Sequence, residues 1–210
     1  MKIIEVKNLI IPDVKVVRFE RFVDSRGYFT EMFHRHEIDS DTRFGFLKKS
    51  DLIQINESFV KAGVIKGLHF QWQPPLGKLL RVISGHMIDM VLDIRKGSLT
   101  EGKIILYDMP VSQSDNYGEW IWLPPGIAHG NIFLEDSIIE YLFTAPYNSA
   151  GESSIFPFSE DIDWSLCDPI LKDKFKKFES GNFVISDKDK TGQSFLEWNH
   201  HNQSKNFIYV

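Results

Sequence analysis

The sequence contains a single cysteine, Cys167, in 210 residues. One cysteine cannot form an intramolecular disulfide, so the chain lacks the mark of a secreted, disulfide-stabilised scaffold. No apolar run approaches the roughly 18 residues of a membrane-spanning helix, and the N-terminus has no signal-peptide-like apolar segment. We therefore expect a soluble, cytoplasmic protein with no membrane partner.

Positive charge is also scarce, because 24 Lys and Arg face 29 Asp and Glu, giving a net charge of −5. Binding to nucleic acid draws on a surplus of cations, so nucleic acid is not an expected partner. The content of 42% hydrophobic and 25% charged residues is typical of a globular chain and argues against disorder. This length predicts a single domain over residues 1–210, with about 170–210 as a C-terminal extension packed on it.

Short segments of alternating polarity, separated by Gly, Pro, Asn and Asp, dominate the chain. From Ile88 to Ile94 one parity is entirely apolar, whereas the other carries Asp89 and Asp93. Repeated alternation with a period of two predicts an all-β sandwich or barrel. Helical periodicity is weak until the tail, where Leu171 to Phe178 predicts one short basic helix, interpreted as a solvated surface helix.

In several of these strands, every second residue has a side chain that titrates or forms hydrogen bonds. These residues are not the mixture of Lys, Glu and Thr that is typical of a solvent-exposed sheet face. A solvent-exposed sheet face is one interpretation, and a barrel with a ligand cavity inside is the other. The choice of side chains favours the cavity, although periodicity alone leaves both open. The residues on this parity are His69, Gln71, Gln54, Asn56, Asp89 and Tyr141.

Two histidines, His69 and His129, stand beside glycines on predicted strands. Imidazoles exchange protons near neutral pH, which suits general-base work, whereas a hydrogen-bonded core histidine is the alternative for each. Cupin-type metal barrels usually offer two histidines one residue apart, a nearby Glu and a later histidine. Here the residue two after His69 is Gln71, and the pair His200-His201 lies in a polar tail. The spacing does not favour a metal site.

Two cations stand at positions where they could act on a ligand. Lys78 begins an apolar strand, where it could offset negative charge on an oxygen or simply protect a strand edge. Arg26, in Asp24-Ser25-Arg26-Gly27-Tyr28, places a bidentate phosphate binder beside an aromatic ring, with a plain hairpin turn as the alternative. Cys167 has no histidine pattern beside it, so a nucleophilic role is not expected.

Taken together and in this order, the motifs resemble the dTDP-4-dehydrorhamnose 3,5-epimerase family, whose members are nucleotide-sugar epimerases. The resemblance covers roughly residues 10–195 and implies an all-β, cupin-like double-stranded β-helix (a jelly-roll barrel) with short C-terminal helices. The motifs that carry it are Asp24–Gly27, Gln54–Asn56, Gly63–Gln71, Gly77–Val82, Asp89–Arg95, Gly126–Gly130, Tyr141–Tyr147, Asp163–Trp164 and Ser186–Asp189.

The resemblance implies a cofactor-independent isomerase that epimerises C3, C5 or both in a nucleotide-diphospho-4-keto-6-deoxy sugar. By motif position His69 resembles the base, Asp189 the carboxylate that orients it, Tyr141 the acid and Lys78 the enolate stabiliser. The pathway implied is deoxysugar and surface polysaccharide biosynthesis.

The resemblance also implies a set of substrate-binding residues and a homodimer, because the N-terminal segment commonly exchanges between subunits in this family. Arg26 and Phe29 would bind the nucleotide, and Tyr147 would pack near the nucleotide or sugar. The complete substrate-binding set is Arg26, Phe29, Glu31, Gln54, Asn56, Lys66, Asp89, His129, Tyr147 and Lys188.

Two departures from the family pattern bear on the substrate. Lys66 replaces the usual arginine before Gly-Leu-His, and Asn131 replaces the usual phenylalanine after Ala-His-Gly, turning an apolar wall into an amide. Alternatives therefore stay open: a GDP-4-keto-heptose or CDP-sugar substrate, epimerisation at one carbon, or a non-catalytic nucleotide-sugar-binding module. A 3,4-ketoisomerase is expected to lack Tyr141, and a metal-dependent cupin oxygenase would need a stoichiometric metal.

Overall fold

The computed structural model describes residues 2–47 and 51–209. The strands in this part of the chain are β1 (Ile3–Asn8), β2 (Lys15–Glu20), β3 (Phe22–Asp24), β4 (Gly27–Phe29), β5 (Gln54–Val60), β6 (Val64–Gln71), β7 (Lys78–Ser84), β8 (His86–Asp93), β9 (Ile104–Pro110), β10 (Tyr117–Leu123), β11 (Ile127–Phe133), β12 (Ser137–Phe143), β13 (Glu152–Ser154) and β14 (Val184–Ile185). The helices are α1 (Arg35–Ser40), α2 (Pro169–Glu179), α3 (Asp187–Lys190) and α4 (Phe195–His200), with 3-10 turns at Thr42–Phe44, Ser149–Gly151 and Asn202–Asn206.

The strands form two large antiparallel sheets. The first has the order β1-β2-β10-β7-β12-β5, and the second has the order β13-β6-β11-β8-β9, with β14 pairing in parallel with β6. A shared apolar core contains Leu80 and Ile121 of the first sheet together with Val91 and Phe133 of the second. Strands β3 and β4 form a separate hairpin. The predicted all-β fold with short C-terminal helices is confirmed.

On strand β8 the alternating pattern does not mark a solvent-exposed sheet face. Its odd parity, including Val91, packs into the core between the sheets, and Asp89 is fully buried on the same parity. Its even parity, including Met90 and Leu92, packs beneath Trp198 of the C-terminal segment. Both faces of β8 are therefore buried, and the solvent-exposed interpretation does not apply to this strand.

The C-terminal helices cover the outer face of the second sheet. Helix α2 begins at Pro169, and the Asp168 side chain accepts hydrogen bonds from two amides of its first turn. The predicted helix over Leu171–Phe178 lies within α2. Phe175 of α2 is buried against Trp164, with ring centroids 4.7 Å apart. Helix α2 is therefore anchored to the rest of the domain through this ring and is not the fully solvated surface helix that the sequence predicted. Burial of such a ring stabilises the contact by about 1.5–3 kcal/mol.

Helix α3 is a single short turn that determines the position of one site residue. The Ser186 side chain accepts a hydrogen bond from the Asp189 amide at 3.1 Å and so caps the helix. Asp189 consequently points into the molecule and is only 3% exposed. None of the helices in residues 2–47 and 51–209 is both long and apolar enough to cross a membrane.

Candidate active site

A cavity of about 360 Å³ lies between the two sheets and is lined by residues of β6, β7, β11 and β12. Its volume suits a sugar-sized ligand, since ligand pockets are typically concave clefts of a few hundred Å³. Most of the predicted site residues line it, which supports the cavity interpretation of the polar parity. These are Lys66, His69, Lys78, His129, Tyr141, Tyr147, Lys188 and Asp189.

His69, on β6, is paired with Asp189 of α3. The distance from His69 Nε2 to Asp189 Oδ1 is 2.6 Å, and the Gly67 amide donates to Asp189 Oδ2 at 3.3 Å. Burial would raise the pKa of Asp189, but its hydrogen bonds with His69 and Gly67 hold it below the ordinary value. The carboxylate therefore stays ionised and can stabilise an imidazolium at His69.

Glycines allow the histidine-bearing strands to approach closely. Gly67 adopts a φ of +105°, and a Cβ there would come within 2.5 Å of the Gly130 Cα. His69 and His129 are direct partners across the β6–β11 ladder. Gly67 and Gly130, one from each histidine motif, therefore permit this close approach of the two strands. The approach positions the two imidazoles on one wall of the cavity.

Lys78 places a cation inside the cavity wall. Its side chain is 8% exposed, and its Nζ lies 3.5 Å from the backbone oxygen of His69. Burial lowers its pKa to about 8, partly opposed by the negative charges of Glu152 and Asp89. Lys78 therefore carries its charge at neutral pH in surroundings where Coulombic interactions are strong.

Tyr141 lies on β12 of the first sheet, whereas His69 lies on β6 of the second, and both line the same cavity. Burial, with a smaller contribution from the negative charge of Asp89, raises the pKa of the Tyr141 phenol. The phenol consequently keeps its proton at neutral pH and can donate it. The cavity thus has a potential base and a potential acid on opposing walls.

Behind one wall, Asp89 joins His129 and Asn131. Asp89 Oδ1 lies 3.1 Å from His129 Nδ1 and accepts a hydrogen bond from Asn131 Nδ2 at 2.9 Å. Burial raises the pKa of Asp89 well above its ordinary value, although Lys78 opposes this. Burial, together with the positive charges of Lys78 and His69, lowers the pKa of His129 well below its ordinary value. His129 is therefore a neutral imidazole in the cavity wall.

Glu152, on β13, lines the cavity but was not predicted from the sequence. Its Oε2 accepts a hydrogen bond from the Tyr147 hydroxyl at 3.0 Å and pairs with Lys188 Nζ at 2.5 Å. In sequence it stands in Gly-Glu-Ser-Ser, which has no periodicity that would mark a site residue. The pairing fixes Tyr147 and Lys188 at one edge of the cavity.

Gln54 and Asn56 do not line the cavity but support its edge. Gln54 donates to Asn56 Oδ1 at 3.1 Å and accepts from the Tyr147 amide at 3.0 Å. Their predicted contact with substrate stays a prediction.

Arg26, Phe29 and Glu31 lie outside the cavity lining of their own chain. The Arg26 side chain is 88% exposed and pairs with Asp24 at 2.6 Å, and Phe29 is 70% exposed on the β3–β4 hairpin. Glu31 is half-buried. Their role in binding nucleotide stays a prediction.

No group of three or more His, Cys, Asp or Glu side chains suited to a metal ion occurs within residues 2–47 and 51–209. The ionisable side chains that line the cavity are imidazoles, phenols, ammonium groups and carboxylates.

Comparison with known proteins places this chain among nucleotide-sugar enzymes. The sequence model of the dTDP-4-dehydrorhamnose 3,5-epimerase family matches residues 8–197. The dTDP-4-dehydrorhamnose 3,5-epimerase of Sinorhizobium fredii is 33% identical over 194 residues, covering 91% of this chain and 89% of the relative. The enzyme of that name from Methanothermobacter thermautotrophicus is 37% identical over 189 residues, with coverage of 87% and 89%.

Solved structures agree. The dTDP-4-dehydrorhamnose 3,5-epimerase of Sulfolobus tokodaii is 32% identical, with a TM-score of 0.71 and coverage of 94% of this chain and 97% of that one. The dTDP-6-deoxy-D-glucose-3,5-epimerase of Legionella pneumophila, solved with dTDP-4-keto-L-rhamnose, is 25% identical, with a TM-score of 0.78 and coverage of 98% of both chains. These comparisons confirm the predicted cupin-like jelly roll and the predicted isomerase class. The chain belongs to the dTDP-4-dehydrorhamnose 3,5-epimerase family.

Proposed function

We propose that this chain epimerises C3 and C5 of a dTDP-4-keto-6-deoxy sugar through an enolate, without a cofactor. The observation that carries the proposal is the placement of His69 and Tyr141 on opposing sheets across one cavity that also contains Lys78. Inversion at carbon requires removal of a proton from one face of the ring and delivery to the other. The names of the relatives supply the substrate class.

The His69–Asp189 pair supplies the base. With Nε2–H donating to Asp189 Oδ1, Nδ1 is the nitrogen that can accept a proton from a carbon next to the C4 ketone. The electron pair of the C–H bond becomes the C=C bond of the enolate, and negative charge moves to the C4 oxygen. The buried ammonium of Lys78 stabilises that charge.

Tyr141 completes the inversion by protonating the carbon from the opposite face. The electron pair of the enolate forms the new C–H bond, and the phenolate that remains takes up a proton from solvent while His69 releases one. The same two proton transfers occur at C3 and at C5, since both carbons adjoin the C4 ketone. No redox change occurs at any step.

The diphosphate has cations available at the cavity despite the net charge of −5. Lys66 and Lys188 both line the cavity. Burial lowers the pKa of Lys66, whereas its attraction to Asp189 raises it. We assign the diphosphate to these two ammonium groups, with Tyr147 packing beside the nucleotide or sugar.

We further propose that the protein is a homodimer in which the hairpin of one subunit reaches the cavity of the other. Exposed apolar side chains cover both the hairpin (Phe22, Val23 and Phe29) and one face of the edge strand β5 (Ile55 and Phe59), each more than half exposed. Exposed apolar side chains gathered on one element are typical of an interface. A hairpin from a second copy would bring Arg26 and Phe29 to the nucleotide. Residues 170–210 belong to the same domain in this proposal, because Asp189 completes the base.

Proton NMR in deuterated water tests the activity with dTDP-4-keto-6-deoxyglucose. The wild-type protein should incorporate deuterium at C3 and C5, and His69→Ala should abolish both exchanges. The matched control is His86→Ala, since His86 forms an equally short 2.6 Å pair with Asp108 outside the cavity lining. Exchange at one carbon only would redefine the protein as a mono-epimerase. No exchange with dTDP-, GDP- or CDP-4-keto sugars would indicate a binding module.

A further inference from the structure

Asn131 places an amide in the cavity wall, where the family pattern has an apolar ring. It lies on β11, is 3% exposed and lines the cavity beside His69 and His129. Its Nδ2 donates to Asp89 Oδ1 at 2.9 Å, which fixes the orientation of the amide. The side chain is therefore held rigidly, with one end turned away from the ligand space.

The other end of this amide has no protein partner. Asn131 Oδ1 accepts no hydrogen bond from residues 2–47 or 51–209. Some polar side-chain atoms of residues 2–47 and 51–209 are sealed from solvent without a hydrogen-bond partner, but Asn131 Oδ1 is not one of them. It is therefore open to the cavity that Asn131 lines. An acceptor that faces the cavity and has no protein partner is available to a ligand donor.

The sheet register surrounds this acceptor with polar groups. Asn131 is the direct partner of Lys66 on β6 and of Asp89 on β8. Lys66 lines the cavity with its Nζ 3.5 Å from Ser58 Oγ, and it forms no salt bridge with residues 2–47 or 51–209. A ligand group that reaches Asn131 Oδ1 meets an acceptor, which matches the donor of a hydroxyl and does not match a methyl group.

We propose that Asn131 is a specificity-determining residue whose Oδ1 accepts a hydrogen bond from the C2 or C3 hydroxyl of the sugar. The inference rests on the proposed function, which supplies a 4-keto-6-deoxy sugar as substrate. The C2 and C3 hydroxyls are the only free hydroxyls of that sugar. The ketone occupies C4, C6 is a methyl group and C1 carries the diphosphate. A hydroxyl held at this wall orients C3 toward His69.

Calorimetric titration tests the contact without depending on turnover. The ligands are dTDP-glucose, which has no ketone and does not react, and its 2-deoxy, 3-deoxy and 6-deoxy forms. Asn131→Leu should weaken binding of dTDP-glucose about 10-fold, the effect of one hydrogen bond. The 2-deoxy or the 3-deoxy form should bind the wild-type and variant proteins equally, because the donor is already missing.

Asn199→Leu is the matched control. Asn199 also donates its amide to a carboxylate, Glu101, at 3.1 Å, but outside the cavity lining, so this change should leave all four affinities unaltered. If Asn131→Leu does not fold, as judged by its melting curve, Asn131→Phe replaces it with the family's usual residue.

Equal weakening of all four ligands by the Asn131 variant, or no weakening, would overturn the inference. Loss of the effect only in the 6-deoxy form would overturn it as well and would indicate a substrate hydroxylated at C6. Either result can occur while the wild-type protein exchanges protons at C3 and C5. Absence of exchange in the wild-type protein is the separate result that refutes the proposed function.

Discussion

Replacing Lys78 with methionine should stabilise the fold while slowing proton exchange of the substrate. Methionine has a similar length and no charge, so it fills the same space in the wall. The fall of the lysine pKa from 10.5 to about 8 corresponds to about 3 kcal/mol of unfavourable free energy for carrying the charge in the folded state. This net cost already includes the attraction of Lys78 to Glu152 and Asp89. The melting temperature should therefore rise by about 6–12 °C at pH 7.

The pH dependence identifies the cause of the stabilisation. Between pH 8 and 10.5 the unfolded chain keeps a proton on Lys78 that the folded protein has released. The stability of the wild-type protein therefore rises with pH in this interval, relative to the variant. The difference in melting temperature should be largest below pH 8 and should shrink toward pH 10. Scanning calorimetry at pH 6, 7, 9 and 10 measures it.

Proton exchange of the 4-keto sugar provides the second readout. If the Lys78 ammonium stabilises the enolate, Lys78→Met should slow exchange about 10²–10³-fold, as removal of one oxyanion donor does. The wild-type rate should fall as the pH rises through about 8. Lys61→Met, at an exposed strand end, should change neither property. A destabilised Lys78→Met protein, or one that exchanges at the wild-type rate, would refute the reasoning.

Three further results are expected. Tyr141→Phe should keep proton exchange but lose inversion at C5, measured by NMR, whereas unaltered inversion would remove Tyr141 from the role of acid. Asp189→Asn should slow exchange at least 10²-fold with little change in dTDP affinity, since it disturbs the orientation of His69 but no nucleotide contact. A mixture of His69→Ala and Arg26→Ala subunits should regain activity if Arg26 acts in the partner's cavity, because a mixed dimer then contains one intact site. A mixture no more active than Arg26→Ala alone would place Arg26 elsewhere.

The sequence predicted those parts of the site that depend on strand parity. Alternation identified the polar parity of β6 and β12, and the structure places His69 and Tyr141 in the cavity as that parity implies. The alternating pattern did not reveal that β8 is buried on both faces. An apolar face has the same sequence pattern whether another sheet or the C-terminal helices cover it.

Other parts of the site lay beyond sequence patterns. Asp189 was identified only through the resemblance, since it stands 120 residues from His69 on a four-residue helix without periodicity. Glu152 was missed because a single carboxylate on a three-residue strand carries no pattern. Arg26 and Phe29 were predicted beside the nucleotide, yet their hairpin lies outside the cavity of its own chain. A short motif shows what a residue can bind but not where the fold places it.

The pairing of His69 with Asp189 joins catalysis to the order in which the chain is made. The strand that bears the imidazole is synthesised 120 residues before the helix that bears the carboxylate. Until that helix docks against β6, the imidazole lacks the carboxylate that orients it. Full proton abstraction therefore reports that both parts of the chain have folded together.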